Sequence, residues 1–127
     1  MIVYGERILD HYRHPRNSGF LATPDISHED VNPLCGDRVR IELALTGGEI
    51  VREARFRADS CIISQAASSI LTEMVTGRTL KAIETLPPSE LLQALKADIP
   101  SSRLECALLP FHVLKAGITA YKLSSAS

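Results

Sequence analysis

The side chains with the most reactive chemistry are three cysteines, Cys35, Cys61 and Cys106, together with Asp37, an acid two residues beyond the first of them. Three is an odd count, and a secreted disulfide framework usually uses an even one in a denser pattern. A lone cysteine is most often a small buried hydrophobe, so position has to decide. Cys35 falls in the tight loop Asn32-Pro33-Leu34-Cys35-Gly36-Asp37, Cys61 where a strand gives way to a helix, and Cys106 in the first turn of the last helix. None lies in the middle of a core-facing stripe. A helix N-terminus offers unpaired N–H groups and about half a positive charge, which favours thiolate over thiol. Thiolate is the form that binds metal and attacks sulfur.

Gly36 separates Cys35 from Asp37, and glycine permits a turn that brings both side chains to one side. The competing reading of Asp37 is a local Asx-turn at the start of a strand. With two further cysteines arriving at helix starts, the ligand reading is preferred. Three thiolates and a carboxylate form a tetrahedral donor set for Zn²⁺ or iron. Closed structural zinc sites normally use only Cys and His, whereas a carboxylate is harder and suits iron and exchange. The set would stay negative around a divalent ion, so Arg38, Arg57 or Arg103 would help if the fold brings one near.

The elements that must position these groups follow from periodicity. Residues 3–13 read as a short helix with Val3, Ile8, Leu9 and Tyr12 on one stripe, ending near His14 because Pro15 disfavours helical geometry before it. Residues 16–34 read as loop, with one short strand around Ile26 to Val31. Val39, Ile41, Leu43 and Leu45 alternate with Arg40, Glu42 and Ala44, the period of a strand with one wet face. Thr46-Gly47-Gly48 supplies a turn. Ile50, Ala54, Phe56 and Ala58 then face inward against Val51, Glu53, Arg55 and Arg57, with Arg52 as the one misfit. Residues 62–76 read as a helix stopped by Gly77. Thr79 caps a short turn to Leu86, a helix runs from Glu90 to about Lys96, and residues 103–122 form the final helix. Strands followed by helices predict an α+β fold: a small antiparallel sheet of about three strands, a short N-terminal helix, and a C-terminal bundle of helices packed on one face.

At 127 residues and 45% hydrophobic, the chain suits one domain over residues 1–127 with a core that needs no covalent staple. Its net charge is −1 and no basic run exceeds two residues, so no nucleic-acid partner is expected. No apolar run approaches the ~20 residues of a membrane span, and the N-terminus lacks the order of a signal peptide. A soluble cytoplasmic protein is expected by elimination.

Four segments, in order, resemble the iron–sulfur cluster scaffolds of the IscU, SufU and NifU N-domain type. They are Asp10-His11-Tyr12-Arg13-His14-Pro15-Arg16-Asn17, the Cys35 loop, Cys61-Ile62-Ile63-Ser64-Gln65-Ala66-Ala67-Ser68-Ser69, and Arg103-Leu104-Glu105-Cys106-Ala107-Leu108-Leu109-Pro110. The resemblance implies a domain that accepts sulfur as persulfide from a cysteine desulfurase and holds a transient [2Fe–2S] cluster. It then passes the cluster to recipient apo iron–sulfur proteins. It also implies that Cys35, Asp37, Cys61 and Cys106 surround the site, that zinc or iron can occupy it, and that Cys35 and Cys106 are the persulfide acceptors to weigh.

The chain departs from its relatives in places. IscU-type members carry His before the third cysteine, where this chain has Glu105. Glu105 is either a substitute oxygen ligand or, preferred here, the partner of Ser102 in a capping box. The Leu-Pro-Pro-Val-Lys segment that docks a dedicated Hsp70 is replaced by Ile99-Pro100-Ser101-Ser102-Arg103, which speaks against that partner. Ala58-Asp59-Ser60 stands where relatives usually have a glycine. Plain Cys₃Asp ligation leans toward SufU, but the SufU insertion between the second and third cysteines is missing. A SufU-type zinc-dependent sulfur acceptor that never carries the cluster is thus the second reading. A cysteine hydrolase using Cys106 would need a histidine base, and His112, six residues on, is turned about 240° away. A purely structural zinc domain is the remaining reading. Ser64, Ser68 and Ser69 are assigned to close helix packing, and His11 and His14 to support of the N-terminal helix.

Overall fold

The computed structural model describes residues 5–33 and 36–125, so Val3 and Cys35 lie outside the described residues. Helix α1 spans Gly5–Arg13 and stops short of Pro15. It buries Ile8 and His11 and leaves Tyr12 39% exposed, so the inward stripe includes a histidine in place of the tyrosine. Three antiparallel strands follow, β1 (Ile26–Val31), β2 (Arg38–Thr46) and β3 (Ile50–Asp59), in the spatial order β1-β2-β3. The expected strand at 26–31 and the expected hairpin are both present.

The phase of the hairpin differs from the expected alternation. Ala44 pairs with Glu53, but Leu45 pairs with Val51, so Arg52 has no opposite number. That β-bulge switches the faces of the residues before it. Val51 is fully buried and Ile50 is 43% exposed, the reverse of the strict period-2 reading. Arg52, the misfit in the pattern, is the bulged residue itself.

The outer face of β2 is not wet throughout. Glu42 and Ala44 are both buried there. Residues between α1 and β1 run along this side. Asn17 and Gly19 bond the backbone of Phe56 on the free edge of β3, and the Leu21 N–H donates to Glu42 Oε1 at 2.8 Å. Burial raises the Glu42 carboxyl, but hydrogen bonds from Leu21, Arg40 and Ser27 outweigh it and hold the group below the usual range. The covering segment also shields an edge that would otherwise be open to pairing.

Helices cover the other face. Helix α2 (Ile62–Val75) packs on β3, α1 and the last helix, and ends before Gly77, whose φ of +89° suits glycine. Thr79 caps α3 (Leu80–Glu84) by accepting from the Ala82 N–H at 3.1 Å. Helix α4 runs Pro88–Ala94, two residues earlier at both ends than expected, with proline at its first position. A 3-10 turn, Ser101–Arg103, leads straight into α5 (Leu104–Ser125), which crosses β1 and β2. Ser102 lies inside that turn, so it does not cap α5 and the expected Ser102–Glu105 box does not form. Val39, Ile41, Leu43, Phe56, Ile63, Ile70, Leu114 and Ile118 meet between sheet and helices as one apolar core.

His11 locks α1 to α2. Its Nδ1 lies 2.8 Å from Ser69 Oγ, which accepts the Arg16 N–H at 2.9 Å. On its other side the ring nitrogen Nε2 lies 3.6 Å from Glu73 Oε1. Burial, and then the Arg16 charge, push the imidazole below its ordinary value, with Glu73 opposing. The unfolded chain therefore takes up this proton first. Stability from this site is complete above about pH 6.5 and is lost as pH falls below it. We expect the unfolding free energy from urea titrations to drop through that range, by at most about 1.4 kcal/mol per pH unit, and the slope to flatten in His11→Asn. Equal slopes would mean another group is responsible.

Candidate metal centre

Asp37 stands immediately before β2. Gly36, at φ +73°, makes the reversal that an L side chain would resist. The Gly36 N–H donates to the Asn32 carbonyl and the Asn32 N–H to the Asp37 carbonyl, both at 2.7 Å. The loop is thus closed on itself, and Asp37 is fixed with 6% of its surface exposed. Its Oδ1 accepts the N–H of Cys61 at 3.2 Å, so the carboxylate reaches across to the start of α2 and does not form the local Asx-turn. Its Oδ2 is buried and has no hydrogen-bond partner.

Cys61 is the N-cap of α2, with extended backbone (φ −69°, ψ 168°), and its side chain caps nothing. The sulfur is left available because it makes no capping bond, while the Cys61 N–H is held by Asp37. Cys106 is the third residue of α5, 5% exposed, and is brought in by the packing of α5 on the sheet and on α2. One ligand atom from each of Asp37, Cys61 and Cys106 lies within 4.8 Å of the other two. A tetrahedral ion with bonds of about 2.0–2.3 Å separates its ligands by roughly 3.3–3.8 Å. Small side-chain adjustments span that difference. A buried carboxylate oxygen with no partner costs free energy unless something pairs with it. A cation would pair Oδ2, and two thiolates beside one carboxylate are a donor set for zinc or iron.

The sequence-derived residues sort as follows. Asp37, Cys61 and Cys106 come together, and Cys35 lies outside the described residues. Glu105 is exposed and His112 is exposed with its ring edge-on to Phe111, and neither joins the cluster among the described residues. Among the described residues no arginine pairs with Asp37. Arg57 instead lies 4.9 Å from the ring centre of Phe20, with Arg40 at 5.9 Å on the same ring. The sequence assigns Ser64 only to packing, yet its hydroxyl and that of Ser60, residues close to Cys61 in the chain, are buried without partners. The available signal was spacing: Ser64 is three residues beyond Cys61, on the same helix face.

Comparison with known proteins agrees with this geometry. The sequence profile of the NifU-like N terminal domain matches residues 3–126. The chain is 32% identical over 124 residues to the iron-sulfur cluster assembly scaffold protein IscU of Azotobacter vinelandii, covering 95% of each chain. It is 30% identical over 127 residues to IscU of Escherichia coli K12, again covering 95% of each. The fold is similar to the crystal structure of a nitrogen-fixing NifU-like protein (N-terminal) from Brucella abortus, with TM-score 0.74, 24% identity and 94% of each chain covered. With a matching profile along nearly its whole length and a thiolate–carboxylate cluster at the ends of β2, α2 and α5, the chain belongs to the NifU-like N terminal domain family.

Proposed function

We propose that this chain is a scaffold for iron–sulfur cluster assembly, acting as a single domain, with Cys35, Asp37, Cys61 and Cys106 as the ligands of a transient [2Fe–2S] cluster. The observation that carries the reading is the meeting of Asp37, Cys61 and Cys106 within 4.8 Å, from positions far apart in the chain. The IscU relatives, aligned over 95% of both chains, support it. Cys35, two residues before Asp37, is the fourth ligand by tether. The same donors suit a zinc or iron ion when no cluster is present.

Sulfur comes from a cysteine desulfurase in this reading. A thiolate of the scaffold attacks the terminal sulfur of the donor's persulfide, forming a new S–S bond while the donor leaves as thiolate. Cys35 and Cys106 are the candidate acceptors. Cys106 is 5% exposed, so delivery to it requires the sulfur to become more accessible than it is here. The finished cluster goes to recipient apo iron–sulfur proteins. Asp37 is the exchangeable ligand of the set, because a carboxylate holds iron less tenaciously than thiolate. Residues 99–103 differ from the segment that docks a dedicated Hsp70, which speaks against that partner. No helix among the described residues is long and apolar enough to cross a membrane, and cysteines serving as metal ligands suit a reducing, cytoplasmic setting.

The second reading, a zinc-bound sulfur acceptor that never carries a cluster, uses the same residues. Anaerobic reconstitution with ferric iron and sulfide separates the two. The scaffold should take up iron and sulfide in equal amounts and develop visible charge-transfer absorption. Protein that stays colourless, holds zinc, and gains sulfur only as persulfide by mass after incubation with a desulfurase and cysteine would transfer the assignment to the sulfur acceptor.

A further inference from the structure

We infer that Ser64 is a positioning residue of this site, donating its hydroxyl proton to anionic sulfur once the ion or cluster is bound. The inference rests on the scaffold reading and deepens it. Four buried side-chain polar atoms among the described residues lack a hydrogen-bond partner: Arg16 Nη1, Asp37 Oδ2, Ser60 Oγ and Ser64 Oγ. Three of these four belong to residues around Cys61. Asp37 bonds its N–H, Ser60 precedes it, and Ser64 follows it by one helical turn. Buried polar groups are nearly always paired, so orphans gathered around one point indicate something that arrives there.

Ser64 is the sharpest case because its hydroxyl makes none of the bonds ordinarily open to it. It is fully buried, so water does not reach it. A helical serine usually bonds the carbonyl one turn back. For Ser64 that is the Ser60 carbonyl, which accepts from Gln65 Nε2 at 2.8 Å, and the Ser64 hydroxyl makes no bond to it. The other hydroxyl residues of α2 all have partners. Ser68 donates to the Ser64 carbonyl, Thr72 to that of Ser69, and Ser69 Oγ holds His11 and the Arg16 N–H. At the third helical position Ser64 would return a bond to the N-cap N–H, but Asp37 has taken it. An O–H donor beside Cys61 is matched by sulfur carrying negative charge, either the metal-bound Cys61 thiolate or a sulfide of the cluster. Such bonds steady the ligand and raise the reduction potential of a cluster.

The inference fixes opposite signs for the two states of the protein. In metal-free protein, Ser64→Ala removes an unpaired buried hydroxyl, so the thermal midpoint should stay level or rise. In loaded protein it removes a bond to a charged partner, so the zinc dissociation constant should increase roughly tenfold in competition with a chromophoric chelator. Ser68→Ala is the control. That hydroxyl is equally buried but bonded within the helix, so its loss should shift both midpoints together and leave zinc affinity unchanged. Weakened zinc binding in Ser64→Ala identifies the Cys61 thiolate as the acceptor. Unchanged zinc binding with a shifted visible spectrum and a more negative potential in the reconstituted cluster identifies sulfide. If Ser64→Ala matches wild type in zinc affinity, cluster spectrum and potential, the inference is wrong and the scaffold reading stands. If wild type binds neither zinc nor a cluster, both fall.

Discussion

Cys61→Ala is expected to weaken zinc binding more than about 100-fold while the metal-free protein unfolds at nearly the wild-type midpoint. Structural zinc sites bind with about 10–16 kcal/mol, so one ligand in four carries about 3 kcal/mol, or some 100-fold. The fold should tolerate the change for a local reason. Cys61 is the N-cap of α2, yet its side chain makes no capping bond. The N–H at that position is held by Asp37 Oδ1, and alanine keeps the N–H. Asp37→Ala should behave differently, costing affinity and also about 1 kcal/mol in the metal-free fold, because it frees that N–H at a helix start. Chelator competition and thermal melts on both variants check the contrast. Zinc affinity in Cys61→Ala within threefold of wild type would remove Cys61 from the ligand set.

Gly117→Leu is expected to cost about 2–3 kcal/mol, lowering the thermal midpoint by roughly 10 °C, and to weaken zinc binding as well. Gly117 is needed for space rather than for a positive φ. A Cβ there would lie 3.0 Å from His28 Cβ and 3.2 Å from Ile26 Cγ2, where α5 presses on β1. A leucine must push the helix off the strand, and Cys106 rides on the same helix. Gly117→Ala should be near neutral, since about 1 kcal/mol of helix propensity offsets the tight contact. Saturating zinc should restore part of the lost midpoint in Gly117→Leu, because only folded protein assembles the site. A leucine variant that melts with wild type would show that helix and strand are not in close contact here.

Much of the architecture was readable because local physics and tertiary packing agree. The alternation from Val39 to Leu45 is the inner face of β2, and Gly77 ends α2 as its position suggests. The failures have causes that no local pattern carries. Arg52 disturbed the period, but only the pairing of Leu45 with Val51 shows that it is a bulge which turns Ile50 outward. Glu42 looked solvent-facing by alternation, and a segment 16–25 residues from the N-terminus covers it. Ser102 and Glu105 have capping-box spacing, yet helical geometry begins before Ser102 and the box has no helix end to close.

The site divides along the same line. Residue types and order alone determined that this chain carries soft thiolate donors and one hard carboxylate at the ends of elements, since those chemistries are properties of the side chains. Bringing them together is a property of packing. Asp37 meets Cys61 because β2 and β3 pair antiparallel with Arg38 opposite Asp59, and Cys106 joins them because α5 lies across the sheet. The exchange of the Cys61 N–H to Asp37, and the unpaired hydroxyl it leaves on Ser64, exist only in three dimensions. Hydrogen-bond satisfaction depends on which neighbours the fold supplies, and sequence spacing does not specify them.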